Sequence, residues 1–261
     1  MNLSFSTNNW NSFDINNFFE IARQYKFSGI ELHGKCGIKN DDLTRIYHKL
    51  IEYKLSIPCI DVETDVSKDI EGAYNELLEA KRIAVKLHAP YIRIKSEADA
   101  TAFIEKALPL AEENDLVLLV ETMGIYSDTA KLRELLEHFA SDNIGALWDF
   151  HYPYRVNGET PEKTITNLGA YVKHIHIKDS ESLSEYSIIG EGNLPVDDFI
   201  NALKSVNFDG FISLEWNPAW IPEISDHDII FPHFTNYMKK YRSPSHAQKA
   251  LYSNLRGTGK Y

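Results

Sequence analysis

Eight short strand-like runs, separated by longer segments of helical spacing, predict a single α/β domain: a (β/α)8 TIM barrel with a short C-terminal extension. Three observations carry that expectation. Strands alternating with helices imply a parallel sheet, and eight such units are the number that closes a barrel. The 261 residues match the length of about 250 typical of that architecture. The first run is followed by Ser6-Thr-Asn-Asn-Trp, without the glycines of the phosphate loop that usually opens a doubly wound sheet.

The elements follow in order. The first strand is expected at Asn2–Ser6, after which Asp14 caps a helix over Ile15–Tyr25 with Phe18, Ile21 and Ala22 on one face. Gly29–His33 and Ser56–Val62 read as the second and third strands. Ser67 is placed to open a long helix through Ala73, Leu77, Ala80 and Ala84 that must stop before Pro90. Tyr91–Lys95 is the fourth strand, and Pro109 predicts a kink or break in the helical segment from Ala98 to Glu113. The fifth strand, Leu116–Glu121, precedes a segment through Leu132, Leu135 and Leu136 that Ser127 is expected to cap. Ile144–Asp149 is the sixth. Thr160 then supplies an N-cap with Pro161 at the first helical position. Val172–Lys178 is the seventh strand, Pro195 starts a helix over Val196–Val206, and Gly210–Glu215 is the eighth strand. No Gly/Ser-rich linker or low-complexity tract divides the chain, so residues 1–240 are expected to form one barrel and 241–261 a tail. From Lys239 onward, basic residues (Lys239, Lys240, Arg242, Lys249, Arg256 and Lys260) occur with little apolar periodicity. That pattern reads as a solvated or partner-docked extension.

Composition excludes several classes. Lys and Arg number 27 against 38 Asp and Glu, a formal net charge of −11. This argues against a protein whose main task is gripping phosphate backbones. With only two cysteines, Cys36 and Cys59, neither a disulfide framework nor a Cys-rich zinc module can form, and a reducing compartment is the natural home. Met1-Asn-Leu-Ser-Phe-Ser lacks a basic region before an apolar run, and no stretch approaches the ~20 apolar residues of a membrane helix. A soluble, cytoplasmic protein is expected, with neither nucleic acid nor membrane as partner.

Side chains alternate along a strand, so parity separates two faces. His174, His176 and Lys178 oppose Ile175 and Ile177; Ser213 and Glu215 oppose Ile212, Leu214 and Trp216. Tyr91, Arg93 and Lys95 oppose Ile92 and Ile94, and Glu31 and His33 oppose Ile30 and Leu32. Helices cover the outside of a barrel, so the apolar parity faces out and the polar parity faces in. Strand ends on the polar parity emerge at the C-terminal mouth, where active sites of this architecture sit.

Four of those ends stand out: Glu121 in Leu-Leu-Val-Glu, Asp149 in Leu-Trp-Asp-Phe-His, His176 in His-Ile-His, and Glu215 in Ser-Leu-Glu-Trp. They close the fifth to eighth strands, which are barrel neighbours. Three carboxylates and an imidazole at one point repel as bare anions, and one divalent metal ion resolves the repulsion. The alternative is a set of separate ion pairs at the mouth. An O/O/O/N donor set suits Mn²⁺, Mg²⁺ or Co²⁺, with Zn²⁺ also within its range.

These residues, with the later Gly190-Glu-Gly-Asn-Leu-Pro-Val-Asp-Asp-Phe and Asp209-Gly-Phe-Ile-Ser-Leu-Glu, make the chain resemble the xylose isomerase-like (AP endonuclease family 2) barrels. The nearest subgroup is that of sugar (phosphate) isomerase/epimerase-like proteins, and the resemblance runs from the first strand to the eighth. It implies that Glu121, Asp149, His176 and Glu215 bind one divalent metal. It also implies that Glu121 and Glu215 are catalytic, flanking the reacting carbon of a keto-sugar or related polyol and exchanging its proton. A metal acting as Lewis acid on the carbonyl makes the α C–H more acidic, and cations stabilise the enediolate left behind. Return of the proton to the same carbon from the opposite side is epimerisation; return to the neighbouring carbon is aldose–ketose isomerisation.

Further residues are expected to bind a small carbohydrate substrate. Lys178 shares the parity of His176 and faces either a substrate oxygen or a mouth carboxylate. Glu191 lies in the Gly-Glu-Gly turn, which members of the family use near the substrate. His151 follows Asp149 by two residues; many relatives carry a substrate-contacting histidine three residues after that aspartate, where this chain has Tyr152. Arg93 and His33 line other parts of the mouth by parity, and His174 lies one inward step deeper than His176. Arg93, Lys95, Arg155 and Lys178 together suit a substrate phosphate or carboxylate, or neutralise the surrounding acids. Competing readings are an inosose-type polyol dehydratase on the same scaffold and a non-catalytic sugar-binding barrel. The DNA-repair branch of the superfamily is disfavoured by the net charge and by the shortage of mouth histidines. A homo-oligomer is compatible with this reading.

Overall fold

A computed structural model describes residues 1–8, 14–224 and 227–241 of the chain. Its elements run β1 (Asn2–Ser6), α1 (Ile15–Gln24), β2 (Gly29–His33), α2 (Asn40–Tyr53), β3 (Cys59–Asp61), α3 (Ile70–Leu87), β4 (Tyr91–Ile94), α4 (Thr101–Glu113), β5 (Val117–Glu121) and α5 (Thr129–Phe139). They continue with β6 (Ile144–Asp149), α6 (His151–Asn157), α7 (Pro161–Leu168), β7 (Val172–Ile177), β8 (Asp179–Ser180), β9 (Tyr186–Ser187), α8 (Val196–Ser205), β10 (Phe211–Leu214) and α9 (His227–Tyr237). Eight parallel strands close on themselves in the order β1-β10-β7-β6-β5-β4-β3-β2, with helices outside. This is the (β/α)8 TIM barrel expected from the sequence. Pairing of Phe5 with Leu214 on one side and with Ile30 on the other closes the ring. The antiparallel β8–β9 hairpin is inserted between β7 and α8 and was not foreseen. The tail expected from residue 241 lies, beyond Tyr241, outside the described residues. No helix among the described residues is long and apolar enough to cross a membrane.

Local chemistry sets most boundaries. Asp14 caps α1 by accepting from Asn16 N–H, and Thr160 caps α7 by accepting from Lys163 N–H, both as expected. Two caps differ. The α3 cap is Asp69, whose Oδ1 accepts from Gly72 N–H at 2.8 Å, because the Ser67 hydroxyl is already donated to Asp65 at 2.7 Å. The α5 cap is Asp128, because Ser127 donates to Gly124 O at 2.7 Å and closes the short 3-10 turn before the helix. The third strand is shorter than expected, with only an isolated bridge from Ser56 to Gly29, since Pro58 has no N–H to offer a ladder. Pro109 does not break α4. Glu105, four residues back, is exposed, as is Pro109, so the carbonyl deprived of its helical donor lies on the solvent side.

Burial follows strand parity. Leu118, Val120, Ala146, Trp148, Ile175 and Ile212 join the core between sheet and helices. Cys59, Leu119 and Leu147 are equally buried but lie outside that core, because they share parity with Asp61, Glu121 and Asp149 and point into the barrel. One bulge modifies the pattern: Ala146 pairs with Val172 but Leu147 pairs with His174. Val172 therefore belongs to the outer core while His174 and His176 turn inward. The β1 end is sealed by Phe5 against Phe27 and Phe231, at ring separations of 4.9 and 4.7 Å.

Candidate active site

The strand ends on the polar parity converge at the C-terminal mouth. Glu31, Asp61, Arg93, Glu121, Asp149, His174, His176, Lys178 and Glu215 are all buried. That cluster sets five carboxylates against two permanent cations. Burial makes this imbalance costly, so the excess negative charge must be met by protons or by an added cation.

Two ion-paired sets divide the cluster. In the first, Arg93 donates through Nε and Nη2 to Glu121 Oε2 at 3.0 and 2.6 Å, and through Nη1 to Asp61 Oδ2 at 2.9 Å. Burial opposes ionisation of Glu121, but Arg93 and His176 outweigh it and hold the carboxyl well below its ordinary range. Asp61 behaves oppositely: burial dominates, and its carboxyl is raised in spite of Arg93. In the second set, Lys178 Nζ donates to Asp149 Oδ2 at 2.6 Å and also to Glu215 Oε2. Burial pushes the Asp149 carboxyl up to about 6 against the pull of Lys178. For Glu215, burial again opposes ionisation, but Lys178 and His176 keep it below its ordinary value. Thr122, next to Glu121, exchanges hydrogen bonds with the Asp149 backbone at 3.0 and 3.2 Å and locks the two strand ends together.

His176 lies at the seam. Its Nε2 is 2.7 Å from Glu31 Oε1, and its Nδ1 faces Glu121 Oε1 at 3.5 Å. Neither His176 Nδ1 nor Glu121 Oε1 has a hydrogen-bond partner among the described residues, although both are buried. Oxygens of Glu121 and Asp149 and a ring nitrogen of His176 lie within 4.8 Å of one another, a spacing that can hold a metal ion. Donor type fits as well: two hard carboxylates and one imidazole. Three of the four expected ligands thus form one group; Glu215 is drawn to Asp149 through Lys178.

The expected substrate-binding residues are distributed differently. Lys178 is at the centre, with the Tyr152 ring 4.5 Å from its Nζ. His151 is buried: its backbone N–H donates to Asp149 Oδ1 at 2.8 Å and its ring stacks on Tyr186 at 5.3 Å. Burial and then Lys178 push the His151 imidazole down to about 4, so the ring is neutral at physiological pH. Arg93 is engaged by two carboxylates. His33 is half-buried at the rim, 2.9 Å from Glu63. Glu191 is exposed. Arg155 binds the Ser180 hydroxyl at 3.0 Å and Asn193 Oδ1 at 2.5 Å. Arg93 and Lys178 are held by carboxylates of the chain itself, as the acid-neutralising alternative expects.

Four contributors escaped the sequence reading or were only noted as lining. Glu31 and Asp61 carry the polar parity of their strands, which is the signal that identifies them. Asp179 had no local signal. It accepts from the N–H groups of Ser180, Gly190, Gly192 and Leu194, at 2.8, 2.8, 3.2 and 3.3 Å, and so shapes the turn that carries Glu191. Tyr186, on the unforeseen hairpin, is sandwiched between His151 and Trp220, the latter at 3.9 Å and near-parallel.

Over residues 19–230 the chain matches the family model for xylose isomerase-like TIM barrels. An uncharacterized protein of Methanocaldococcus jannaschii is 28% identical over 177 residues, covering 62% of this chain and 57% of that relative. The aligned part thus spans little more than half the length of that curated relative. Among solved structures, the IolI protein with a bound zinc atom superposes with a TM-score of 0.77 at 16% identity, over 93% of this chain and 100% of that one. A D-psicose 3-epimerase studied in the presence of D-fructose gives 0.76 at 12% identity, over 92% and 99%. AsbF of Bacillus anthracis, a probable 3-DHS dehydratase of petrobactin synthesis, gives 0.72 at 20% identity, over 91% and 98%. At these identities the likeness is one of fold.

Proposed function

The chain belongs to the xylose isomerase-like TIM-barrel family, and from that premise we propose that it is a divalent-metal-dependent sugar isomerase or epimerase acting on a keto-sugar or related polyol. One observation carries the reading: two buried candidate metal-ligand atoms without a hydrogen bond, His176 Nδ1 and Glu121 Oε1, face each other in a cluster with more carboxylates than cations. A divalent cation held by Glu121, Asp149, His176 and Glu215 would supply Lewis-acid polarisation of a carbonyl.

The chain's own groups supply the rest. The Glu215 carboxylate, just beyond β10, accepts the proton from the carbon next to the substrate carbonyl, leaving an enediolate. Return of that same proton from Glu215 to the neighbouring carbon is isomerisation, whereas epimerisation requires Glu121 to enter the cycle protonated from solvent and to deliver its proton from the β5 side of the mouth. Lys178 Nζ, between Asp149 and Glu215, donates to the oxygen on which negative charge develops. Arg93 fixes the Glu121 carboxylate through Oε2 and leaves Oε1 turned toward the site. His151, neutral and stacked, is available as a hydrogen-bonding wall for a sugar hydroxyl.

A polyol dehydratase is the second reading, favoured by one feature: the Lys178 ammonium beside Glu215. There the same proton abstraction is followed by loss of a hydroxyl, protonated by Lys178 and released as water.

Incubation in deuterated buffer with Mn²⁺ and a panel of ketoses, aldoses, cyclic polyols and their phosphates tests both. Deuterium at one carbon without change of skeleton is expected for the isomerase or epimerase, whereas a product lighter by one water identifies the dehydratase. Glu215→Gln should abolish incorporation while the far-ultraviolet circular dichroism stays that of the parent. Undiminished turnover in that variant overturns the assignment of Glu215.

A further inference from the structure

We propose that Glu31 is a positioning residue: by accepting a hydrogen bond from His176 Nε2–H, it fixes the ring so that Nδ1 is the nitrogen offered to the metal. This rests on the metal-dependent reading above and adds to it which nitrogen binds and what holds it there.

The geometry is specific. Glu31 stands on β2, and His174 and His176 on β7; β1 and β10 separate those strands in the sheet. Glu31 therefore reaches its partners through the barrel interior, across 143 and 145 positions of sequence. Its carboxylate is fully divided between them, with Oε1 2.7 Å from His176 Nε2 and Oε2 2.6 Å from His174 Nε2. A carboxylate has no proton to give, so each imidazole must donate through Nε2. For His176 this leaves Nδ1 as the nitrogen on the Glu121 side, 3.5 Å from Glu121 Oε1 and without a hydrogen bond among the described residues. The far side of the carboxylate is anchored too. His174 Nε2 lies 3.2 Å from Ser213 Oγ, which is 2.6 Å from Ser4 Oγ, so the network is tied to β10 and β1. An imidazole bound to a metal through one nitrogen commonly donates the other N–H to a carboxylate, which sets tautomer and ring orientation together. Here that carboxylate comes from the strand across the barrel, so closure of the barrel and assembly of the site are one event.

Long-range ¹H–¹⁵N correlation spectra of the full chain, with Zn²⁺ alone as probe, read the tautomer directly. In the Zn²⁺-loaded wild type, His176 is expected to carry its proton on Nε2, with the Nδ1 resonance displaced by the metal. A loaded protein with the proton on Nδ1 and the metal on Nε2 overturns the proposal and leaves the metal-dependent reading standing. A wild type that takes up no Zn²⁺, Mn²⁺ or Co²⁺ overturns both. Calorimetric titration with Zn²⁺ adds a second arm: Glu31→Gln, nearly equal in shape, should weaken binding by roughly 10- to 100-fold. Ser213→Ala, which cuts the same buried network beyond His174, should leave the affinity within about twofold of wild type. Equal loss in both variants marks a purely structural role and overturns the proposal, as does parental affinity and an unchanged tautomer in Glu31→Gln.

Discussion

Lys178 separates Asp149 from Glu215, two carboxylates that would otherwise confront each other in a buried space. Removing a single member of a buried ion-paired set costs about 3–5 kcal/mol, because the remaining charges lose compensation without regaining water. Lys178→Met should therefore destabilise the metal-free protein by that order in urea unfolding. A divalent cation can take over the neutralising part of Lys178, so added Mn²⁺ should restore more stability to the variant than it adds to wild type. At this scale the sequence was informative about identity and weak about partnership. Parity along β7 and β10 singled out Lys178, His176 and Glu215, but did not say whether Lys178 meets substrate or carboxylate. Arg93 illustrates the same limit: its inward direction was legible, while its joint hold on Asp61 and Glu121 depends on the registers of β3, β4 and β5.

At the scale of elements, the loop after β7 is organised by one side chain. Asp179 gathers four backbone N–H groups, and Gly190 and Gly192 allow the turn to close upon it. A Cβ at Gly192 would lie 2.3 Å from Asp179 Oδ1, and Gly190 has a φ of +89° that side-chain-bearing residues rarely adopt. Asp179→Asn replaces one accepting oxygen by a donor and should cost about 1.5–3 kcal/mol of local stability. The expected readout is faster amide hydrogen exchange confined to residues 188–194, with exchange in β5 and β6 unchanged. If Glu191 borders the substrate, the same variant raises KM more than it lowers kcat. All the barrel strands but the third, which Pro58 shortens, were legible to within one residue at either end because each is a short apolar alternation bounded by turn chemistry. The β8–β9 hairpin was not, since two-residue strands carry too little pattern to be recognised. The cap of α3 moved from Ser67 to Asp69 because Asp65 had already engaged the serine hydroxyl, a competition that a list of cap-forming residues does not reveal.

The molecule as a whole couples its stability to its centre. Every barrel strand from β2 to β7 ends in or contains a group of the polar cluster, and the β10 strand leads directly into Glu215. A cation that binds only the folded chain stabilises it by mass action, about 2.7 kcal/mol at a free concentration one hundred times the dissociation constant. Titration with Mn²⁺ should therefore raise the thermal midpoint progressively, and a chelator should return it to the metal-free value. In Glu121→Gln the rise should be largely lost. An unmoved midpoint in wild type at millimolar Mn²⁺, Mg²⁺, Co²⁺ and Zn²⁺ would falsify the metal-dependent reading.

The sequence by itself determined the strand–helix alternation, the inward parity of the polar residues and the four strand ends where they converge. These follow from periodicity and local turn chemistry, which act between near neighbours. Only the tertiary structure decided that Glu31 grips His176 across the interior, that Lys178 lies between Asp149 and Glu215, and that a bulge in β7 sends Val172 outward and His174 inward. Those outcomes depend on closure and relative register of strands far apart in the chain, for which local periodicity has no signal.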